Sequence, residues 1–206
     1  MNKTNPLEFE PIAREVFAPI YPVIAEQILQ ATRISRGKCL DLGTGPGFLG
    51  LAIAQISDLK VCLLDISPEM IAYAQQNIQS RQMQKKVQAL CADVHLLPFS
   101  DQSIDLVISR GSVFFWEDLK QAFEEIYRVL KPGGMTYIGG GFGTDALKQE
   151  IEQKMAQKDE DWAAKSKKRM ENFSSSNYKE ILDGLNIPYE IKHENGFWII
   201  IKREAQ

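Results

Sequence analysis

Two hydrophobic periods alternate along this chain. Lys38–Leu42, Lys60–Asp65, Val87–Asp93, Ile104–Ser109 and Met135–Gly139 are short, nearly continuous apolar runs, the pattern of strands buried on both faces. Between them the period is helical. Residues 12–33 carry Ile12, Val16, Ile20, Val23, Ile24, Ile28 and Leu29 at helical spacing, which predicts one helix interrupted by Pro19 and Pro22. A second helix follows the glycines after Leu42 and runs through Ala54. Ser67 reads as an N-cap with Pro68 at the first helical position, so a third helix extends to about Arg81. Leu119–Leu130 is a fourth, with Lys131-Pro132-Gly133-Gly134 read as the turn that stops it.

The last third is more polar. Asp145–Phe173 reads as a charged helix with Leu147, Ile151, Met155 and Trp162 on one side, and a short helix follows near Tyr178–Leu185. Tyr189–Lys192 and Phe197–Lys202 then flank Glu194-Asn195-Gly196, a hairpin signal. Strands alternating with helices imply crossover connections, hence an α/β fold with a parallel sheet covered on both faces and an antiparallel hairpin at its end.

Composition narrows the function classes. A chain of 206 residues suits one well-buried domain. Its net charge of −3 gives no general attraction to phosphate backbones or anionic lipid, which disfavours nucleic acid as a partner. The Lys165–Arg169 cluster is offset by Glu150, Glu152, Asp159, Glu160 and Asp161. No apolar run approaches bilayer length, and MNKTNPLEFEP lacks the apolar core of a signal peptide, so the expectation is a cytoplasmic protein without membrane contact. Cys39, Cys62 and Cys91 sit in separate apolar segments without Cys-x-x-Cys spacing; they read as buried small hydrophobes, and no metal is expected.

The chemistry gathers at strand ends. Leu40-Asp41-Leu42-Gly43-Thr44-Gly45-Pro46-Gly47-Phe48 joins the first strand to its helix, where an open α/β sheet places its ligands. The spacing is Gly-x-Gly-x-Gly, and Phe48 stands where a dinucleotide fingerprint requires its third glycine. A nicotinamide oxidoreductase is therefore disfavoured. Asp65 ends the next strand, where a carboxylate can accept both hydroxyls of a ribose, and Asp93 ends the third, within reach of an adenine amino group. A turn that served structure alone would not account for acids at three successive strand ends.

Asp41-x-Gly43-x-Gly45-x-Gly47, Asp65-Ile66-Ser67-x-x-Met70, Ala92-Asp93-x-x-x-Leu97-Pro98-Phe99, Ile104-Asp105-Leu106-Val107 and Arg128-Val129-Leu130-Lys131-Pro132-Gly133-Gly134 occur in that order over residues 37–140. In this the chain resembles the class I S-adenosylmethionine-dependent methyltransferases. The resemblance implies a Rossmann-like three-layer α/β/α sandwich around a mostly parallel seven-stranded sheet. It implies one methyltransferase domain over residues 1–206: a helical cap (1–36), a cofactor-binding core (37–143), then the charged helix, short helix and hairpin (144–206). It implies S-adenosylmethionine as cofactor and S-adenosylhomocysteine as product. Gly43, Gly45 and Gly47 would pack the methionine end, with Asp41 helping to hold its ammonium. Asp65 would bind the ribose, Ile66 would line one adenine face, and Asp93 with Val94 would contact the adenine edge.

On the acceptor side the fourth strand runs into Ser109-Arg110-Gly111-Ser112-Val113-Phe114-Phe115-Trp116. DNA-adenine and glutamine-amide methyltransferases carry Asn/Asp-Pro-Pro-Tyr/Phe there, so that chemistry is disfavoured. The three aromatics are either an acceptor-pocket wall or core. Arg110 is a candidate carboxylate anchor for acceptor or cofactor, the competing reading being an ion pair with Asp41, Glu117 or another local acid. Tyr21 is a candidate for approach to the methyl group or for packing; His95 is a candidate base or a surface residue; His193 adjoins the hairpin turn, remote from the site. The Gly139–Gly143 tract would keep space open for the acceptor or let a lid move, residues 144–173 being either that lid or a solvated face with a packed Trp162. Together these readings point to a small-molecule methyltransferase, monomeric or homodimeric. An RNA or protein methyltransferase and a non-catalytic S-adenosylmethionine-binding protein are the alternatives.

Overall fold

The computed structural model describes residues 5–162, 164 and 175–204. Seven strands form one sheet in the order β3-β2-β1-β4-β5-β7-β6. They are β1 (Arg36–Leu42), β2 (Asp58–Asp65), β3 (Val87–Cys91), β4 (Ile104–Arg110), β5 (Leu130–Gly141), β6 (Tyr189–Lys192) and β7 (Gly196–Ile201). The first five are parallel, while β7 runs antiparallel to both β5 and β6. Because β2 and β4 flank β1, the chain reverses its direction of winding there and opens a crevice at the strands' carboxyl ends.

Alternation along each strand divides the core into two layers. Cys39, Val61, Leu63, Leu106, Ile108 and Trp198 face one layer with α2 (Ile20–Thr32), α3 (Phe48–Gln55) and α4 (Pro68–Ser80). Leu40, Leu42, Cys62, Leu64, Val107 and Ile199 face the other, with α5 (Leu119–Val129) and α7 (Ser175–Gly184). Of the three cysteines expected to be buried, Cys39 and Cys62 are, while Cys91 is exposed because it ends β3 at the edge of the sheet. The expected three-layer Rossmann-like sandwich is present, and the caps follow the sequence: Ser67 Oγ accepts from Met70 N at 3.2 Å, with Pro68 opening α4.

Four segments differ from expectation. The amino-terminal helix is a composite of α1 (Pro6–Pro11), a π turn (Ile12–Val16), a break at 17–19 and α2. Pro19 is the N-cap of α2, and Pro22 falls in its first turn, where its missing N–H leaves no bond unmade. Lys131-Pro132-Gly133-Gly134 is an irregular stretch inside β5 rather than a separate turn: the pairing steps from Ile104↔Leu130 to Leu106↔Met135, and Gly133 N and Gly134 O bond to Arg203. The Gly139–Gly141 part of the glycine tract belongs to β5 and lets β7 approach. A Cβ on Gly139 would lie 1.8 Å from Phe197 O, and one on Gly141 2.3 Å from Asn195 O. The charged helix, α6 (Asp145–Ala156), stops early, because Asp159 starts a new turn by accepting from Asp161 N at 3.1 Å. Residues 165–173 of the expected lid, with the Lys165–Arg169 cluster, lie outside the described residues.

Candidate active site

The glycine turn is tied down from behind. Asp41, buried on the face of β1 that carries Cys39, accepts from Thr44 Oγ1 at 2.6 Å and from Gly50 N at 3.0 Å, both on Oδ2. Burial pushes its pKa up to about 7, against the pull of those two donors. The glycines separate by use. A Cβ on Gly43 would lie 2.3 Å from Ser112 Cβ, and one on Gly47 2.6 Å from Leu63 Cδ1, so both permit close packing at positive φ. Gly45 has only Phe9 and Met70 within 4 Å of such an atom and faces the crevice. Gly47 is the N-cap of α3.

Asp65 closes β2 beside the turn. Its Oδ2 accepts from Gly45 N at 2.8 Å and its Oδ1 from Ser67 N at 3.0 Å. Burial raises its pKa, and main-chain donors at Ser67, Gly45 and Ile66 limit the rise. Ile66, next along, is 66% exposed, an isolated apolar surface at the groove's rim. Asp93 lies two residues beyond the end of β3. Its Oδ1 accepts from His95 N at 2.9 Å and pairs with His95 Nδ1 at 2.6 Å. Val94 turns its side chain into the second core layer.

His95 is spoken for at both ring nitrogens: Nδ1 meets Asp93, and Nε2 accepts from Asp118 N at 3.2 Å. The imidazole thus links the loop after β3 to the start of α5, with Nδ1 carrying the proton. Tyr21 and Arg110, by contrast, meet Asp41 in one partly open pocket of about 40 Å³ at the turn, with Phe9, Thr44, Pro46 and Leu49 as further walls. Burial pushes the Tyr21 pKa up to about 12. The expected ion pair of Arg110 with Asp41 or Glu117 is not formed: among the described residues no carboxylate lies within 4.0 Å of it. The reason is its setting, a box of Phe17, Tyr21 and Phe142 rings. Phe9, Phe17, Thr44 and Phe142 were not legible as site residues, since only the fold brings them to β4; Thr44, in the turn three residues after Asp41, carried the nearest thing to a signal.

The aromatic run divides. Val113–Phe115 is a 3₁₀ turn; Phe115 is 43% exposed, whereas Trp116 packs edge-on against Phe123 of α5, ring centroids 6.2 Å apart. Ser112 pins the turn to β1 through Leu42 O at 2.9 Å and to Ser109 Oγ at 2.6 Å. Asp105, at the opposite end of the sheet, is structural: it accepts from Lys38 N and Lys131 Nζ.

Residues 40–138 match a methyltransferase domain family. A candidate S-adenosyl-L-methionine-dependent methyltransferase of Methanococcus maripaludis is 42% identical, with a TM-score of 0.94 over 100% of this chain and 97% of its own. The chain belongs to the class I S-adenosylmethionine-dependent methyltransferases. S-adenosylmethionine is the cofactor of this methyltransferase. Curated relatives match more locally. The demethylmenaquinone methyltransferase of Chlorobaculum tepidum is 40% identical over 101 residues, 49% of this chain and 39% of its own length. The malonyl-[acyl-carrier protein] O-methyltransferase of a Marinomonas species is 33% identical over 120 residues, 57% of this chain and 43% of its own. The matched stretch thus spans about two fifths of each curated relative. No helix among the described residues is long and apolar enough to cross a membrane.

Proposed function

We propose that this methyltransferase acts on a small-molecule acceptor bound above the end of β4, with the cofactor lying across the ends of β1, β2 and β3. The observation that carries the placement is the set of three acids at adjacent strand ends, each with acceptor capacity that the protein does not use. Asp41 Oδ1 and Asp93 Oδ2 meet no hydrogen-bond donor among the described residues, and three main-chain donors leave the Asp65 carboxylate capacity for a further one. Asp65 binds the ribose hydroxyls. Ile66 covers one adenine face, Asp93 and the main chain of Val94 meet the adenine edge, and Gly43 and Gly45 present main chain to the methionine end near Asp41. Gly47 supports the turn from within the core. This set of acceptors suits a cofactor that carries an ammonium and a diol but no pyrophosphate.

When bound, S-adenosylmethionine supplies an electrophilic methyl group on a sulfonium, displaced in line by the acceptor. The protein's share is to position and to exclude water. Phe9 and Tyr21 of the amino-terminal segment wall the pocket, and Ser112 fixes the β4 turn that faces the acceptor. His95 has no free nitrogen for proton abstraction. The small-molecule reading is supported by the net charge of −3 and by relatives whose names state a demethylmenaquinone or a malonyl acceptor.

The test is incubation with methyl-labelled S-adenosylmethionine and a cell extract separated into metabolite, protein and RNA fractions, with Asp65→Ala as background. Label above background in the metabolite fraction is expected. Label confined to protein or RNA would contradict the acceptor class, and none in any fraction would favour a non-catalytic binder.

A further inference from the structure

Arg110 is the last residue of β4 and continues the face set by Leu106 and Ile108, the same layer as Asp41 and α2. Its guanidinium carbon stands 4.9 Å from the Phe17 ring centre, 5.6 Å from Phe142 and 5.9 Å from Tyr21. Nε donates to Gly141 O at 3.0 Å, the one hydrogen bond it makes among the described residues. Both terminal nitrogens are left over. They belong to a side chain that lines the pocket at Asp41, Gly43 and Gly45.

Arg110 is half-buried and its terminal nitrogens keep some contact with solvent; a guanidinium so placed among apolar groups is ordinarily matched by a carboxylate or by several carbonyls. Here aromatic faces, which hold a cation without neutralising it, stand where an acid would. Burial lowers the pKa, yet arginine keeps its charge at any working pH. The fork of two parallel N–H donors matches a planar two-oxygen anion. The pocket is small, about 40 Å³, and partly open to solvent.

We propose that Arg110 is a ligand-carboxylate anchor, the missing counter-ion arriving with the bound molecule. That carboxylate belongs either to the amino-acid end of the cofactor, passing the Gly43–Gly45 turn, or to an acceptor seated at the end of β4. The choice of these two sources rests on the cofactor placement proposed above; the anchor itself does not.

Titration calorimetry on wild-type, Arg110→Met and Arg110→Lys proteins tests it. The probes are S-adenosylhomocysteine, its decarboxylated analogue S-adenosyl-3-thiopropylamine, and acetate and benzoate given alone and on top of S-adenosylhomocysteine. If the cofactor supplies the carboxylate, Arg110→Met binds S-adenosylhomocysteine at least about tenfold more weakly and the decarboxylated analogue as wild type does, with Arg110→Lys between. If the acceptor supplies it, S-adenosylhomocysteine affinity is unchanged, and benzoate or acetate binds wild type but not Arg110→Met. The proposal is overturned if Arg110→Met matches wild type for every probe. It is equally overturned if the variant loses S-adenosylhomocysteine and the decarboxylated analogue alike, the pattern of a residue that only shapes the pocket. Circular dichroism checks folding, and Arg110→Lys, judged against the same probes, carries the test if Arg110→Met does not fold. Wild-type protein that binds benzoate through Arg110 but no S-adenosylhomocysteine would contradict the cofactor placement and leave the anchor standing.

Discussion

Asp41 shows how one buried acid couples the site to the fold. Its two donors, Thr44 and Gly50, hold the glycine turn against α3, yet desolvation outweighs them and the Asp65 charge adds in the same direction. An acid whose folded pKa lies above its unfolded value keeps its proton longer in the native state. Ionising it therefore costs stability progressively as pH rises from about 4, the unfolded value, to about 7. Asp41→Asn removes that ionisation while keeping an acceptor for Gly50. In cofactor-free protein its melting temperature should rise relative to wild type between pH 5 and pH 8, by on the order of 5 °C. A difference that does not change with pH would show that Asp41 does not titrate in that window. The sequence marks Asp41 through its spacing to Gly43, but not that Gly43 and Gly47 serve packing while Gly45 faces the crevice. That division depends on Ser112 and Leu63, which arrive from other strands.

At the scale of elements, α5 carries the loop that bears Asp93. Arg128 donates to Leu97 O at 2.9 Å, Phe99 O at 2.8 Å and Asp101 at 2.7 Å, and it pairs with Glu125, which accepts from Leu97 N at 2.7 Å. Arg128→Ala strips donors from two carbonyls and leaves Glu125 unmatched. It should lower unfolding free energy by about 1–3 kcal/mol in urea titration, and weaken S-adenosylhomocysteine binding only severalfold. A loss below about 0.5 kcal/mol would mean that the loop holds itself. The meeting of β5 with β7 gives a sterner case. Gly139→Ala places a Cβ where Phe197 O already lies, and overpacking against backbone should cost about 3 kcal/mol or more in the same assay. An unaffected midpoint would contradict the close approach of the hairpin. Strand and helix positions from β1 to α5 are legible because each buries a periodic apolar face. The composite amino-terminal helix and the irregular start of β5 are not, because prolines and glycines there take their roles from neighbours rather than from the local period.

Across the whole molecule, the groove collects residues that the sequence keeps far apart. Phe17 and Tyr21 come from the amino-terminal segment, Asp41 and Asp65 from the first two strands, Arg110 from the fourth, and Phe142 from just past the fifth. The acids could be read ahead of the structure because strand ends are predictable and an open α/β sheet binds at them. The aromatic box around Arg110 could not, since nothing local to Phe17 or Phe142 distinguishes a site wall from core. Ligand binding to the folded state alone should raise stability by about 2.7 kcal/mol at a hundredfold excess over the dissociation constant, so S-adenosylhomocysteine should raise the melting temperature. The most direct test of the cofactor's placement is calorimetric titration of S-adenosylhomocysteine into wild type and Asp65→Ala. Loss of the acid proposed to hold the ribose is predicted to weaken binding by about ten- to a hundredfold, with the fold retained by circular dichroism. Equal affinities in the two proteins would contradict that placement.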